Sequence, residues 1–148
     1  MPELPEVETV RRGLEKKLKN FIIEDIKILR STTIAFPKDQ VEFIRGVNNS
    51  KFGKWQRRGK YLIANLKKYS KSRKKNINPS YKDNGYLIIH LRMTGYFNWL
   101  TTKEPPCKHT RVRFFDERKS ELRFVDVRSF VQIWWIKEGL DPNNLFWI

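Results

Sequence analysis

The chain begins with MPELPEVETVRRGLEKKLK (residues 1–19) and continues with FIIEDIKIL (residues 21–29). Apolar residues in the first stretch recur at spacings of three and four, namely Val7, Val10, Leu14 and Leu18. This period predicts a helix from Pro5 to Lys19 that buries one stripe of side chains. The second stretch alternates and is rich in β-branched residues, which predicts a strand from Phe21 to Leu29. The fold is therefore expected to start with a helix followed at once by a strand.

The rest of the chain alternates strand-like runs with turn signals, after a short helix predicted from Gln40 to Arg45. Seven strand-like runs follow, at residues 51–57, 60–66, 86–92, 96–100, 111–115, 121–127 and 129–136. Turn residues separate them, among them Asp83-Asn84-Gly85 and Pro105-Pro106. This order predicts a mainly β, α+β fold: an antiparallel β-sandwich flanked by the N-terminal helix and the short second helix. We expect one domain over residues 1–136 and a tail over residues 137–148.

The chain carries a large excess of positive charge. Its 148 residues include 31 Lys and Arg against 16 Asp and Glu, a formal net charge of +15, and 39% are hydrophobic and available for a core. Such a positive potential attracts polyanions and releases their counterions, so nucleic acid is the favoured partner. A basic surface without a partner, or one that touches acidic lipid, is the alternative interpretation. The densest basic stretch, from Lys67 to Lys75, is predicted to be a solvated loop.

Several protein classes are excluded by what the sequence contains. No apolar run approaches the roughly 18 to 20 residues of a membrane span, and no signal-peptide stretch opens the chain, so we expect a cytoplasmic protein without membrane contact. The single cysteine, Cys107, cannot form an internal disulfide. Together with His90 and His109 it falls short of a structural zinc site, so we expect no metal and no cofactor in this chain.

The first residues carry candidate chemistry. If Met1 is removed, as a small second residue favours, Pro2 becomes a free secondary amine. A free α-amino group has a pKa of about 7.7 to 8.0, so part of it is neutral and nucleophilic near neutral pH. Addition of that amine to a sugar C1′ gives a cationic iminium, which acidifies the C2′ proton and leads to strand cleavage by elimination. Glu3 is the adjacent acid for the departing base or ring oxygen, while Glu6, one helical turn on, either assists or stabilises the positive helix terminus.

The opening MPELPEVETVRRGL (residues 1–14) resembles the N-terminal signature of the formamidopyrimidine-DNA glycosylase (Fpg/Nei) family. Members of this family are base-excision enzymes that remove oxidised purines. The resemblance implies that Pro2 is the nucleophile and Glu3 the acid. RRGKYL (residues 57–62) is similar to the family's strand with an active-site lysine, which implies that Lys60 contacts the sugar-phosphate of the lesion or assists the chemistry. A basic residue on an exposed strand edge is the alternative interpretation of Lys60.

Two further segments are similar to the loops with which the family fills the gap left by an extruded base. HLRMTG (residues 90–95) implies this role for Met93, against the alternative of a buried methionine in a hairpin. FVDVRSF (residues 124–130) implies that Arg128 hydrogen-bonds the orphaned base and that Phe130 wedges between base pairs. This loop departs from the family pattern at Ser129 and Val131, where Arg and Gly are frequent. His109 matches a region near DNA phosphates, and a surface histidine is its alternative.

The resemblance covers the chain but only the N-terminal half of the family. The helix-two-turn-helix domain and the zinc finger, with its one structural zinc, are expected to be absent. The resemblance thus implies a monomeric catalytic domain of a bifunctional glycosylase and abasic-site lyase that acts through a Schiff base. Its implied partner is double-stranded DNA with oxidised bases, such as formamidopyrimidine or 8-oxoguanine, or with abasic sites. The alternatives are a truncated, non-catalytic DNA-binding remnant of such an enzyme and an RNA-associated basic β-domain.

Overall fold

The computed structural model describes residues 4–70, 80–92, 94–128, 131–137 and 139. Two α-helices lie in these ranges, α1 (Leu4–Lys17) and α2 (Gln40–Val47), together with a short 3₁₀ helix (Ser31–Thr33). The strands of the same ranges are β1 (Asp25–Ile28), β2 (Ile34–Phe36), β3 (Ser50–Arg58), β4 (Tyr61–Ser70), β5 (Ser80–His90), β6 (Tyr96–Leu100), β7 (Thr110–Phe115), β8 (Glu121–Val125) and β9 (Gln132–Ile136).

The strands form two sheets that share one hydrophobic core. The four-stranded sheet has the order β1-β7-β8-β6, and the five-stranded sheet has the order β2-β9-β5-β4-β3. Buried side chains of both sheets, such as Phe114 and Phe124 on one side and Phe52 and Leu87 on the other, belong to the same apolar cluster. The predicted fold class, α+β with a β-sandwich and two helices, is confirmed. One pair departs from the antiparallel pattern, because β2 runs parallel to β9.

Helix α1 lies against β3 through the stripe that its sequence predicts. Val7, Leu14 and Leu18 are buried in the core. The Arg11 guanidinium, on the flank of this stripe, donates to the Trp55 carbonyl oxygen of β3 at 3.3 Å. Helix α1 is thus attached to the sheet by its apolar stripe and by a hydrogen bond on the flank of that stripe.

Local geometry differs from the sequence prediction at two places in the strands. The strand predicted from Phe21 to Leu29 is regular only over β1, since Ile22 makes an isolated bridge to Lys51. Asp83-Asn84-Gly85 is not a turn: it lies within β5, where the register with β4 shifts and Gly85 has a φ of 75°. This bulge aims the Asn84 side chain inward, so that its amide donates to the Gly46 carbonyl and to Ser50 Oγ, each at 2.8 Å.

The basic stretch is also partly structured. Lys67 and Lys68 extend β4, so the predicted loop begins later than expected, and residues 71–79 lie outside the described ranges. Lys68 Nζ donates to the carbonyl oxygens of Arg45, Gly46 and Asn48, at 3.2, 3.3 and 2.6 Å. It therefore caps the C-terminal end of α2, where carbonyls lack helical partners. Burial lowers the pKa of this lysine.

No described helix is both long and apolar enough to span a bilayer. Among the same residues, no group of three or more His, Cys, Asp or Glu side chains is placed to hold a metal ion.

Candidate functional site

Three chain connections meet at one end of the sandwich. The β3–β4 turn contains Gly59 and Lys60, the second connection joins the end of β5 to β6, and the third joins the end of β8 to β9. Strand register brings them together, because Tyr61 pairs with His90 and His90 with Gln132. The second and third connections each pass from one sheet to the other. Lys60 and Arg128, which are distant in sequence and which the resemblance assigns to a single site, thus lie on connections at the same end of the sandwich.

The β3–β4 turn presents Lys60. Gly59 adopts a φ of 58°, a backbone conformation that glycine accepts without steric cost. The Arg57 guanidinium donates to the Gly59 carbonyl oxygen at 3.1 Å and so braces the turn. Lys60 is half-buried, and its charge reaches His90, whose pKa it helps to lower. Lys60 thus lies in a turn beside a buried imidazole and not on an exposed strand edge.

His90 is a neutral, buried group at the centre of this end. Its ring packs edge-on against Tyr61 at a centroid distance of 4.5 Å, and its Nδ1 accepts the Arg92 backbone N–H at 3.0 Å. Burial, and then the charges of Arg92 and Lys60, lower the pKa of His90 from 6.5 to about 4. Since Nδ1 accepts a hydrogen bond, the single proton of the neutral ring resides on Nε2.

We expect the His90→Asn substitution to flatten the pH dependence of stability between pH 4 and 6.5. In that window the unfolded state binds a proton that folded His90 excludes, so wild-type stability falls as the pH drops from 6.5 towards 4. The fall attributable to this group is up to about 3 kcal/mol. Asparagine does not titrate, and its side-chain oxygen can replace Nδ1 as acceptor. Urea unfolding across this range of pH measures the slope.

His109→Asn is the matched control for this experiment. It removes the other imidazole, which is half-buried directly before β7, and so measures how much of the slope depends on a histidine other than His90. An undiminished slope in His90→Asn would contradict the assignment of the protonation to His90.

The amino end of α1 lies at the same end of the molecule. Glu8 Oε2 accepts from Arg57 Nε at 3.2 Å, which ties the second turn of α1 to the strand that leads into Gly59. Hydrogen bonds from Arg11, and also from Arg57, lower the pKa of Glu8 despite the opposing effect of desolvation. Glu6 is exposed in the first turn of α1. Pro2 and Glu3, which precede α1, lie outside the described residues.

Arg128 and His109 lie on either side of the β8 terminus. Arg128 is exposed on the β8–β9 connection, and its backbone N–H donates to Asp126 Oδ1 at 3.1 Å. The His109 carbonyl oxygen accepts from the Asp126 backbone N–H at 3.0 Å, and Arg111 Nε donates to the Asp126 carbonyl at 2.9 Å. The structure therefore places His109 near the connection that carries Arg128. Met93 and Phe130 lie outside the described residues.

Two residues at this end were missed by the sequence analysis. His90 follows three apolar residues, Leu87 to Ile89, all of which are buried. An unbroken apolar run is typical of a strand that is buried on both faces, so this pattern could have predicted the burial of His90. Asp126 is fully buried. An aspartate at the start of a loop often accepts the backbone N–H of the residue two positions later, so its place two residues before Arg128 could have predicted this role.

Several positively charged side chains lie at the end of the sandwich where the three connections meet. Arg92 lies on the β5–β6 connection with a φ of 60°, and its guanidinium donates to Gln132 Oε1. Four basic residues contribute: Lys60, Arg92 and Arg128 on the three connections, and Arg111 on β7, which donates to the Asp126 carbonyl. They contribute to a surface field that suits an anionic partner such as a phosphate backbone.

Comparison with known proteins identifies the family. Residues 1–133 match the model of the formamidopyrimidine-DNA glycosylase N-terminal domain. The chain belongs to this family. Proteins named formamidopyrimidine-DNA glycosylase from Prochlorococcus marinus subsp. pastoris and from strain MIT 9312 are each 58% identical to it, over 98% of this chain and 50% of their own length. The chain thus spans about half the length of these curated relatives.

Solved structures of the family share the fold. A complex of Lactococcus lactis Fpg with DNA containing an abasic site is 30% identical to this chain and superimposes with a TM-score of 0.74, over 93% of this chain and 44% of that one. A complex of an Fpg variant from the same organism with DNA containing Fapy-dG has the same TM-score and 31% identity. At this level of identity the likeness extends beyond the fold to the family.

Proposed function

We propose that this chain provides the N-terminal catalytic part of a bifunctional DNA glycosylase, which removes oxidised purines from double-stranded DNA and then cleaves the abasic strand. The observation that carries the proposal is the convergence of α1, the Lys60 turn and the Arg128 connection at one positive end of the sandwich. The names of the relatives and the DNA in the similar Lactococcus lactis complexes support it.

The proposed chemistry begins at the N-terminus. Removal of Met1 frees the Pro2 nitrogen, whose lone pair forms a bond to C1′ of the damaged nucleotide as the bond from C1′ to the base breaks. Glu3 supplies a proton to the departing base or to the ring oxygen. The nitrogen lone pair then forms a C=N bond to C1′ as the bond from C1′ to the protonated ring oxygen breaks, which gives an iminium. The iminium accepts electrons, so transfer of the C2′ proton to a base expels the 3′ phosphate and cleaves the strand. The proposed steps use side chains and the amino terminus of the protein and no cofactor.

The described residues support this chemistry by positioning. The link from Glu8 through Arg57 to the Gly59 carbonyl holds the helix that follows Pro2 and Glu3 against the turn that carries Lys60. Lys60 and Arg92 attract the phosphates that flank the target nucleotide. We propose that Met93, Arg128 and Phe130 occupy the gap in the duplex once the nucleotide is extruded.

Reductive trapping tests the proposed function. Borohydride reduces an iminium to a stable amine, so the 148-residue chain incubated with an abasic-site duplex is expected to give a covalent protein–DNA adduct. Intact mass spectrometry of the same preparation reports whether Met1 has been removed. Pro2→Gly keeps a free primary amine and should retain part of the adduct, whereas a chain whose amino terminus is blocked should give none.

The outcome separates the enzyme from its alternative. A processed N-terminus that gives no adduct overturns the proposed catalysis. If the same protein still binds duplex DNA with an affinity that falls steeply as salt rises, it is the non-catalytic DNA-binding remnant.

A further inference from the structure

The β5–β6 and β8–β9 connections are joined by one buried carboxylate. Asp126 Oδ1 accepts from the Thr94 hydroxyl on one connection and from the Arg128 backbone N–H on the other. Its second oxygen, Oδ2, accepts from the Val131 backbone N–H at 2.7 Å. Asp126 is 0% exposed, so these bonds form away from competing water.

The position of Asp126 in the fold makes this link specific. The residue follows β8 directly, and its backbone is held on both sides, by the His109 carbonyl and by the Arg111 guanidinium. The carboxylate therefore projects from a fixed point of the four-stranded sheet. Thr94 and Asp126 are separated by 32 positions in sequence, and the bond between them joins the two connections directly, in addition to the pairing of their flanking strands.

We propose that Asp126 is a positioning residue that makes the two connections enter the damaged duplex as a single unit. The inference rests on the proposed function, because Met93 directly precedes Thr94, and Arg128 and Phe130 lie between Asp126 and Val131. Residues that fill one gap together must keep a fixed separation, since each side chain limits the space left for the other. The Asp126 carboxylate sets that separation without itself touching DNA.

Thr94→Val and Thr94→Ser form the central test. Valine has the shape of threonine without the hydroxyl, while serine restores the donor to Asp126. The readout is the ratio of affinities for two duplexes of the same sequence, one with a tetrahydrofuran abasic analogue and one undamaged, measured by fluorescence anisotropy at a single salt concentration. We expect Thr94→Val to lower this ratio about tenfold and Thr94→Ser to keep it within about twofold of wild type.

Two additional measurements separate positioning from loss of structure. Thr102→Val, a matched substitution on the exposed β6–β7 connection, should leave the ratio and the urea midpoint as in wild type. Amide hydrogen exchange reports the link without DNA: Thr94→Val should speed exchange at Arg128 and Val131 severalfold, and Thr94→Ser should not. A merely structural role for Thr94 would weaken binding to both duplexes equally, and this result would overturn the inference.

The outcomes distinguish the inference from the proposed function. If the wild-type chain binds the abasic-analogue duplex more tightly than the undamaged one, and Thr94→Val leaves this preference unchanged, the positioning role alone is overturned. A wild-type ratio of one overturns lesion recognition by this chain, and the positioning role with it.

Discussion

Replacement of Gly46 by alanine is expected to destabilise the protein by about 3 kcal/mol, although alanine is the better helix former. Gly46 lies in the last turn of α2, directly beneath the indole of Trp135. A Cβ at this position would lie 2.1 and 2.2 Å from two atoms of that ring. The ring cannot move aside easily, because its Nε1 donates to the Asn84 carbonyl oxygen at 3.0 Å. Either α2 or β9 must therefore shift.

Gly13→Ala is the matched control for this prediction. Gly13 is also a helical glycine, in α1, and a Cβ there would meet nothing within 4 Å. The same substitution should stabilise the protein by about 0.5 to 1 kcal/mol, because it removes backbone freedom from the unfolded chain. Urea unfolding of the two variants should thus give changes of opposite sign. Equal changes would mean that helix propensity, and not the contact with Trp135, controls position 46.

Glu121→Gln is expected to cost about 3 to 5 kcal/mol of stability. Glu121 is buried at the start of β8 and accepts from two guanidinium groups. Arg123 Nε approaches its Oε2 at 2.6 Å, and Arg113 Nε approaches the same oxygen at 2.9 Å. Arg123 is itself buried, so a neutral glutamine leaves its charge uncompensated in the protein interior. Urea or thermal unfolding at pH 7 measures the loss.

Glu15→Gln changes the net charge by the same amount and serves as control. Glu15 pairs with Arg11 on α1 at 2.8 Å, but its side chain is 43% exposed, so its removal should cost less than about 1 kcal/mol. A comparable loss from both substitutions would show that net charge, and not burial, determines the effect at Glu121.

The Glu121 network also has a predicted pH dependence. Desolvation alone would raise the pKa of this carboxyl, but hydrogen bonds from Arg113 and Arg123 outweigh it and lower the pKa below 4.5. A carboxyl with a lowered folded pKa contributes stability that is complete above its unfolded value and is lost as the pH falls below it. This contribution therefore disappears below pH 4.5, at lower pH than the decline expected from His90.

Much of the local structure was predictable because its determinants lie close together in sequence. The apolar period of residues 7–18 matches the buried stripe of α1, and β6 has the predicted bounds of Tyr96 to Leu100. Alternation in β7 coincides with its alternating burial. The parallel pairing of β2 with β9 could not be predicted in this way, because its three residues form a strand only against a partner about 100 positions away.

Candidate site residues could be named from the sequence, but their arrangement could not. Lys60, Arg128 and His109 were identified by resemblance, and the structure places each of them at or beside a connection at one end of the sandwich. Lys68 was grouped with a solvated basic loop, whereas burial and three carbonyl acceptors make it the cap of α2. A lysine's sequence neighbours do not reveal which carbonyls another element will leave unpaired.

The amino-acid sequence by itself determined the helix at the start, most of the strand positions, the net charge of +15 and the candidate nucleophile at Pro2. These properties depend on residue type and on spacings of a few positions. Only the tertiary structure decided that His90 is desolvated and that Asp126 joins two connections, because both depend on side chains brought together by pairing between distant strands. Burial keeps the His90 imidazole neutral and holds the Asp126 carboxylate in place as a hydrogen-bond acceptor.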